Sequence, residues 1–395
     1  MTGQQEMFPQ HHGYSGKRTA EIVGITYRQL DYWARTDLIR PSLAEARGSG
    51  SRRRYSYQDL LELKVIKNLL DAEEISEGVT PREEIYSEDK LKLYRYQPST
   101  GVVQNRIPTL IVYALVNRPY MTDIQENRST VRGLLDSGQD VYLIDWGYPD
   151  QADKYITLDD YINGYLDRCV DVMRKRHGVD KINILGICQG GVFSLCYSSL
   201  HQDKVQNLVT MVTPVDCKTP DNMLSHWVQK MDIDAIVDAM GNLPGEMLNW
   251  TFLNLKPFQL MGQKYVSMVD IISDEKNVKN FMRMEKWIFD SPDQAGEAFR
   301  QFIKDFFQQN KLVEGGLELG EHKVDLKDLK LPILNIFAEQ DHLVPPAACK
   351  ALRKLVSSKD YTELSFPGGH IGIYVSGKAQ ATVTPAISEW LNKRS

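Results

Sequence analysis

Six short apolar runs set the tightest limit on what this chain can fold into. They are "TLIVYAL" (109–115), "DVYLIDW" (140–146), "INILGIC" (182–188), "LVTMVTP" (208–214), "PILNIFAEQD" (332–341) and "YTELSFPG" (361–368). Each has the length of a strand buried on both faces. Helical stretches separate most of them, as "LDDYINGYLDRCVDVMRKRHG" does between the second and third. Strands and helices that alternate this way build a mostly parallel sheet covered on both sides. The alternation fails between Pro214 and Lys330, where "MLNWTFLNLKPF", "NFMRMEKWIFD" and "AFRQFIKDFFQQ" crowd Met, Trp and Phe together. That stretch predicts a helical cap inserted into the sheet domain. The 395 residues leave room for a second module.

The third run ends in "LGICQGG", a Gly-x-Cys-x-Gly pattern made by Gly186, Cys188 and Gly190. A strand that turns sharply into a helix between small residues presents the central side chain on an exposed elbow, where serine is usual. The fifth run ends in Asp341 and the sixth leads to His370. Nucleophile, acid and histidine, each after a strand and in that order, is the arrangement of the α/β-hydrolase fold. Taken singly, the three have plainer readings: a small buried hydrophobe, a turn cap and a loop histidine. Taken together they predict a Cys188, Asp341, His370 triad. His342 is a rival base, but it would put acid and base on one short turn, so it reads as a neighbour supporting the site. Cys196, on the helix behind the elbow, reads as packing.

A thiolate is a stronger nucleophile than a hydroxyl, and a histidine can hold it ionised. It also forms a thioester on acylation. Exchange with a thioester substrate is then nearly isoenergetic, and the acyl group stays activated for transfer to an alcohol. The elbow therefore suits a thioester-using acyltransferase better than a hydrolase. The five cysteines have no metal-ligand spacing and are odd in number, which points to a reducing cytoplasm, free thiols and no metal; no cofactor is expected either. No run reaches the ~18 residues of a membrane-spanning helix, and the polar "MTGQQEMFPQHHGYSGKR" is not a secretory signal.

Charge divides the chain. Residues 1–72 carry 11 Lys/Arg against 8 Asp/Glu, and the rest carries 36 against 44, a basic head on an acidic body. After a tail expected to be disordered (1–16), the head reads as two short helices, with Ala20, Ile22 and Val23 on one and Leu30, Trp33 and Leu38 on the other. Gly24 is the turn between them. A third helix, capped by Ser56 with Asp59 three residues on, shows Leu60, Leu63, Ile66, Lys67 and Leu70 along one face. "TAEIVGITYRQLDYWARTDLI" and "GSGSRRRYSYQDLLELKVIKNLLDA" resemble the winged helix-turn-helix head of the MerR family. The resemblance implies DNA contacts from Thr26, Tyr27, Arg28 and Tyr32 on the second helix and from Arg52, Arg53, Arg54 and Tyr55 on the wing. The helix that dimerises MerR proteins is replaced here, so DNA binding is expected to be weak or absent.

From about Leu69 onward the chain resembles the catalytic subunit of class III polyhydroxyalkanoate synthases. The resemblance rests on "YSEDKLKLYRY", "IVYALVNRPYMTDIQENRST", "DVYLIDWGYPDQAD", "GVDKINILGICQGG", "MVTPVDCKTPDN", "MEKWIFDSPDQAGEAFRQFIKDFF", "LNIFAEQDHLVPP" and "FPGGHIGIYVSGKAQ". It implies polymerisation of short-chain (R)-3-hydroxyacyl-CoA, chiefly 3-hydroxybutyryl-CoA, into polyester with release of coenzyme A. It implies Cys188, Asp341 and His370 as the catalytic residues, with Asp341 either orienting His370 or helping to activate the monomer 3-hydroxyl. The oxyanion falls to the Gln189 amide, just past the nucleophile, and to an amide of the loop after "TLIVYA", for which Val116 is the choice. The expected partners are an E-type synthase subunit, a second copy in a homodimer and the growing polyester, at granule surfaces in the cytoplasm. Where that family begins with its own short segment, this chain carries the MerR-like head, and "LLDAEEISEG" belongs to both matches.

The expected organisation is a tail (1–16), a helix-turn-helix module (17–72), a catalytic core (73–216 and 326–395) and a cap (217–325). Two other functions stay open on the residues alone. One is a cysteine hydrolase of the dienelactone type, which shares the elbow and the triad order. The other is a MerR-type regulator whose body does no chemistry.

Overall fold

A computed structural model of the chain describes residues 13–35, 41–43, 53–56, 59–60, 62–64, 67, 78–258, 260 and 274–394. The chain divides into two compact units, residues 1–75 with 268–286 and residues 76–267 with 287–395.

In the larger unit all six apolar runs become strands of one eight-stranded sheet. Its strands are β1 (Arg82–Glu88), β2 (Leu91–Tyr96), β3 (Thr109–Val112), β4 (Val141–Asp145), β5 (Ile182–Ile187), β6 (Val205–Met211), β7 (Ile333–Ala338) and β8 (Tyr361–Phe366). They lie in the order β8-β7-β6-β5-β3-β4-β2-β1. Neighbours from β8 across to β4 pair in parallel, whereas β2 runs antiparallel to both β4 and β1. Every residue of β3, β4, β5 and β7 is buried, which is why these segments read as continuous apolar runs.

The β1–β2 hairpin was not among the sequence expectations. "REEIYSEDKLKLYRY" is dense in charge because β1 is an edge strand, and charge on an edge discourages pairing with another chain. In β2 the buried Leu91, Leu93 and Tyr96 alternate with more exposed neighbours. Between β4 and β5 a π-helical stretch, Asp160–Leu166, continues into the helix Asp167–His177. Tyr161, Ile162, Tyr165, Leu166, Cys169, Val170 and Met173 form its buried stripe, and Gly178 ends it at φ 60°.

The insertion between β6 and β7 is helical, with Met223–Val228, Ile233–Met240, Gly245–Asn254, Glu275–Phe289 and Gly296–Gln301, the last running into a π-helical turn, Phe302–Gln308. Its apolar residues divide. Phe299, Phe302, Phe306 and Phe307 are buried, and Phe302 meets Phe193 of the helix after β5 edge-on at 6.2 Å. Trp227, Trp250 and Phe258 remain exposed. No helix among the described residues is long and apolar enough to cross a membrane.

The smaller unit contains the helices Gly16–Val23 and Tyr27–Arg35, with Gly24 at φ 80° between them. Ala20, Val23, Leu30, Trp33, Tyr55, Leu60 and Leu63 form its core. Ile22 was expected on that face and is instead 42% exposed, because Thr19, Ala20 and Val23 already fill it. Ser56 and Asp59 do form a reciprocal cap: the Ser56 amide donates to Asp59 Oδ2 at 2.8 Å and the Asp59 amide donates to Ser56 Oγ at 3.1 Å. Leu38, Ile66 and Leu70 lie outside the described residues.

Candidate active site

The chain leaves β5 through Cys188, which has φ 55° and ψ −121°. A positive φ is uncommon for a residue with a Cβ and costs about 1–3 kcal/mol, so surrounding structure must impose it. The glycines show how. A Cβ on Gly190 would lie 2.1 Å from the Val112 carbonyl oxygen, and one on Gly191 would lie 1.9 Å from Thr213 Oγ1. The first turn of helix Gln189–Leu200 is thus pressed against the ends of β3 and β6. Met211 O accepts the Cys188 amide at 2.9 Å, and Val212, itself at φ 45°, donates to Ile336 O at 2.8 Å. Gly190→Ala is therefore expected to cost roughly 3 kcal/mol by overpacking. Its thermal midpoint, followed by far-UV circular dichroism, should fall well below that of the parent chain; an unchanged midpoint would refute this account of the turn.

Asp341 and His370 follow β7 and β8 and meet. His370 Nδ1 donates to Asp341 Oδ2 at 2.6 Å, with both residues buried. The other carboxylate oxygen, Oδ1, accepts the Leu343 and Val344 amides at 2.9 Å each, so the "DHLV" turn holds its own acid in place. Cys188 acts on His370 from close by and raises its pKa, and Nε2 is the ring nitrogen that Asp341 does not engage. Burial alone would lower the His370 pKa. The charges of Asp341 and Cys188 and the bond to Asp341 outweigh it and push the pKa up to about 10.

His342 is half-buried and makes none of these contacts. Burial and the nearby Lys256 lower its pKa, against the pull of Asp341. Cys196, Cys217 and Cys349 are fully buried thiols whose pKa burial pushes up. Among the described residues no cluster of three His, Cys, Asp or Glu side chains is arranged to hold a metal.

The loop after β3 runs beside the elbow. Leu115 N–H, one residue before Val116, donates to the Gln189 side-chain oxygen at 2.9 Å. Several motif segments converge here. Arg118 makes a buried bidentate pair with Asp145, both bonds 2.8 Å, and Trp287 Nε1 donates to Arg118 O at 2.8 Å. Tyr120 and Tyr148 both donate to Asp290. Sequence reasoning missed the Gln189 side chain and the Tyr113–Tyr374 hydroxyl pair, 2.9 Å apart. Tyr113 lies inside an apolar run and reads there as core.

In the head, Arg28 is exposed, but Arg53 is engaged by Asp31 at 2.6 Å, which raises its pKa through that hydrogen bond. Arg54 donates to Gly13 O at 3.5 Å. Arg52 and the Tyr32 side chain lie outside the described residues.

Comparison with known proteins agrees with this architecture. The family model for the alpha/beta hydrolase fold matches residues 107–376, and that of MerR HTH family regulatory proteins matches residues 14–76. A lipase-like structure from Sulfolobus solfataricus superposes with a TM-score of 0.51 at 14% identity, covering 80% of this chain and 98% of its own. The poly(3-hydroxyalkanoate) polymerase subunit PhaC of Allochromatium vinosum is 71% identical over 330 residues, 83% of this chain and 93% of its own length. The PhaC subunits of Thiocystis violacea and Synechocystis sp. are 68% and 56% identical, covering 84% of this chain and 93% and 90% of their own lengths. Identity this high across nearly the full length of those relatives leaves one conclusion: behind its MerR-type head, the chain belongs to the PhaC family of poly(3-hydroxyalkanoate) polymerase subunits.

Proposed function

We propose that this chain polymerises (R)-3-hydroxyacyl-CoA, chiefly 3-hydroxybutyryl-CoA, into polyester and releases coenzyme A at each step. The observation that carries the reading is a thiol on a strained elbow, beside a histidine that is itself bonded to a buried carboxylate. The activity named for relatives of 56–71% identity supports it.

The chemistry follows from the groups present. His370 takes the Cys188 proton on Nε2. The thiolate attacks the thioester carbonyl, a new C–S bond forms, and the carbonyl electron pair moves to oxygen. The Gln189 and Val116 amides hold that oxyanion. As it collapses, the bond to coenzyme A breaks and His370 protonates the departing thiolate. The acyl group remains on Cys188 as a thioester. His370 then accepts the proton of a 3-hydroxyl, whose oxygen attacks the acyl-enzyme to form the ester and release Cys188. Asp341 orients His370 throughout; the two amides on its Oδ1 and the imidazole on its Oδ2 support that role over activation of the monomer hydroxyl.

The reading includes an E-type partner subunit, a homodimer and a place at polyester granules. It is tested by supplying 3-hydroxybutyryl-CoA to the purified protein, with and without the E-type subunit. Polymer plus free coenzyme A supports it. Free hydroxy acid would instead identify a cysteine hydrolase, and no turnover with either preparation would leave a non-catalytic body.

For the head the proposal is weak, salt-sensitive DNA binding without sequence selectivity. Nonspecific phosphate contacts of this kind give dissociation constants on the order of 10 µM at physiological salt. The Arg53–Asp31 pair supports weakness, because a phosphate must compete with a carboxylate already in place. Replacing Arg52, Arg53 and Arg54 with Ala should abolish binding in a fluorescence-anisotropy titration and leave coenzyme A release unchanged. A nanomolar complex with one sequence would overturn the proposal.

A further inference from the structure

The loop that follows β3 is held by bonds from several directions, and two of them come from the segments that carry the nucleophile and the base. Trp146 Nε1 donates to Tyr113 O at 2.9 Å. Asn117 donates to Ser291 Oγ at 2.7 Å, and Trp287 donates to Arg118 O. These three fix the loop to the sheet and the cap. From the elbow, the Gln189 side-chain oxygen accepts the Leu115 amide at 2.9 Å. From the base segment, Tyr374, four residues after His370, shares a hydrogen bond with the Tyr113 hydroxyl.

Each of these last two contacts is costly to break. Gln189 is 4% exposed, Tyr113 3% and Tyr374 1%. Removing one partner strands the other in a buried place, at a cost of about 1–3 kcal/mol. Tyr374 is in turn anchored through its own carbonyl, which accepts Thr130 Oγ1 at 2.7 Å and Gln380 Nε2 at 2.8 Å. Burial is the main cause that raises the pKa of both phenols, so the pair stays neutral and its shared hydrogen bond intact. The Gln189 bond also settles which end of that side chain faces the loop, since only its oxygen can accept an N–H.

We propose that Gln189, by its side chain, and the Tyr113–Tyr374 pair are positioning residues that brace loop 113–116 against both Cys188 and His370. Residue 189 then acts twice: its backbone amide is one oxyanion donor, and its side chain sets the place of the other. The pair keeps the base segment in register with the same loop. An oxyanion hole works because its donors are placed before the charge develops. A brace reaching both catalytic segments supplies that placement across three strands. The inference rests on the acyl-transfer reading given above.

The test uses the full chain with its E-type partner and three variants: Gln189→Met, Tyr374→Phe and Tyr113→Phe/Tyr374→Phe. Met keeps the volume of Gln and lacks its acceptor. Single-turnover coenzyme A release measures acylation. A trifluoromethyl ketone analogue of 3-hydroxybutyryl-CoA, which forms a tetrahedral adduct with a thiolate, measures oxyanion stabilisation. Gln189→Met is expected to slow acylation about 10–100-fold, in the range for a misplaced oxyanion donor, and to weaken the analogue by the same factor. KM should stay within about threefold, because the substrate carbonyl carries no full charge in the ground state. Tyr374→Phe should slow acylation about tenfold, and the double Tyr variant should be no slower, since one bond is lost in each case.

Acylation that falls while analogue affinity holds would overturn the brace, as would a KM that rises with kcat unchanged. Additive losses in the double Tyr variant would remove the pair from it. These results differ from a failure of the reading underneath. In that case the parent chain itself would release no coenzyme A, or Cys188→Ala would be acylated normally.

Discussion

Cys188→Ala is expected to abolish coenzyme A release, a loss of at least ~10⁴-fold, because no other group can carry the acyl chain. The change removes a sulfur and leaves a methyl at a partly buried position, so the fold should survive it. The strained backbone at φ 55° is imposed by close contacts around Gly190 and Gly191, not by the thiol, and Ala should accept it as Cys does. Cys188→Ser should keep a trace of activity, since a hydroxyl in the same place is a much poorer nucleophile near neutral pH. The measurement is single-turnover release on protein whose circular dichroism matches the parent. A further check is mass: the parent should trap an acyl adduct on Cys188 that the Ala variant lacks. Normal turnover by Cys188→Ala would end the triad assignment.

His370→Gln is expected to cost ~10³–10⁴-fold in coenzyme A release, because general base and general acid are lost together. His342→Gln should cost less than about tenfold, since the hydrogen bond to Asp341 Oδ2 goes to His370; an effect of this size belongs to a neighbour rather than a proton carrier. If the two variants exchanged behaviour, His342 would be the base. The same substitution has a pH signature. The folded-state pKa of His370 is raised, to about 10, above its unfolded value. Its stabilising contribution is therefore complete below the ordinary imidazole range and is lost as pH rises toward 10. The thermal midpoint of the parent should fall between pH 7 and pH 10 by more than that of His370→Gln. Parallel profiles would show that the imidazolium is not held in the fold.

Much of this molecule was readable along the chain. Buried parallel strands must be apolar on both faces, so six of the eight announced themselves, and Cys188, Asp341 and His370 could be singled out because each follows a strand end. The MerR-like helices and the Ser56–Asp59 cap were readable for the same reason: period and capping are local, set by residues three or four apart. The β1–β2 hairpin was not, because an edge strand buries one face and fills the other with charge.

Contacts between distant segments were out of reach. Leu115 and Gln189 lie 74 residues apart, Tyr113 and Tyr374 261, and Arg53 and Asp31 22. A buried polar atom takes whatever partner the packed fold brings within hydrogen-bond distance, and that choice has no period along the chain. Ile22 carries the same lesson: the helix pattern offered it to the core, and neighbours that filled the space first left it in water. The strand ends that carry Cys188, Asp341 and His370 were thus legible in the order of the residues. How rigidly the elbow's donors are held, and by which side chains, follows from packing across the sheet.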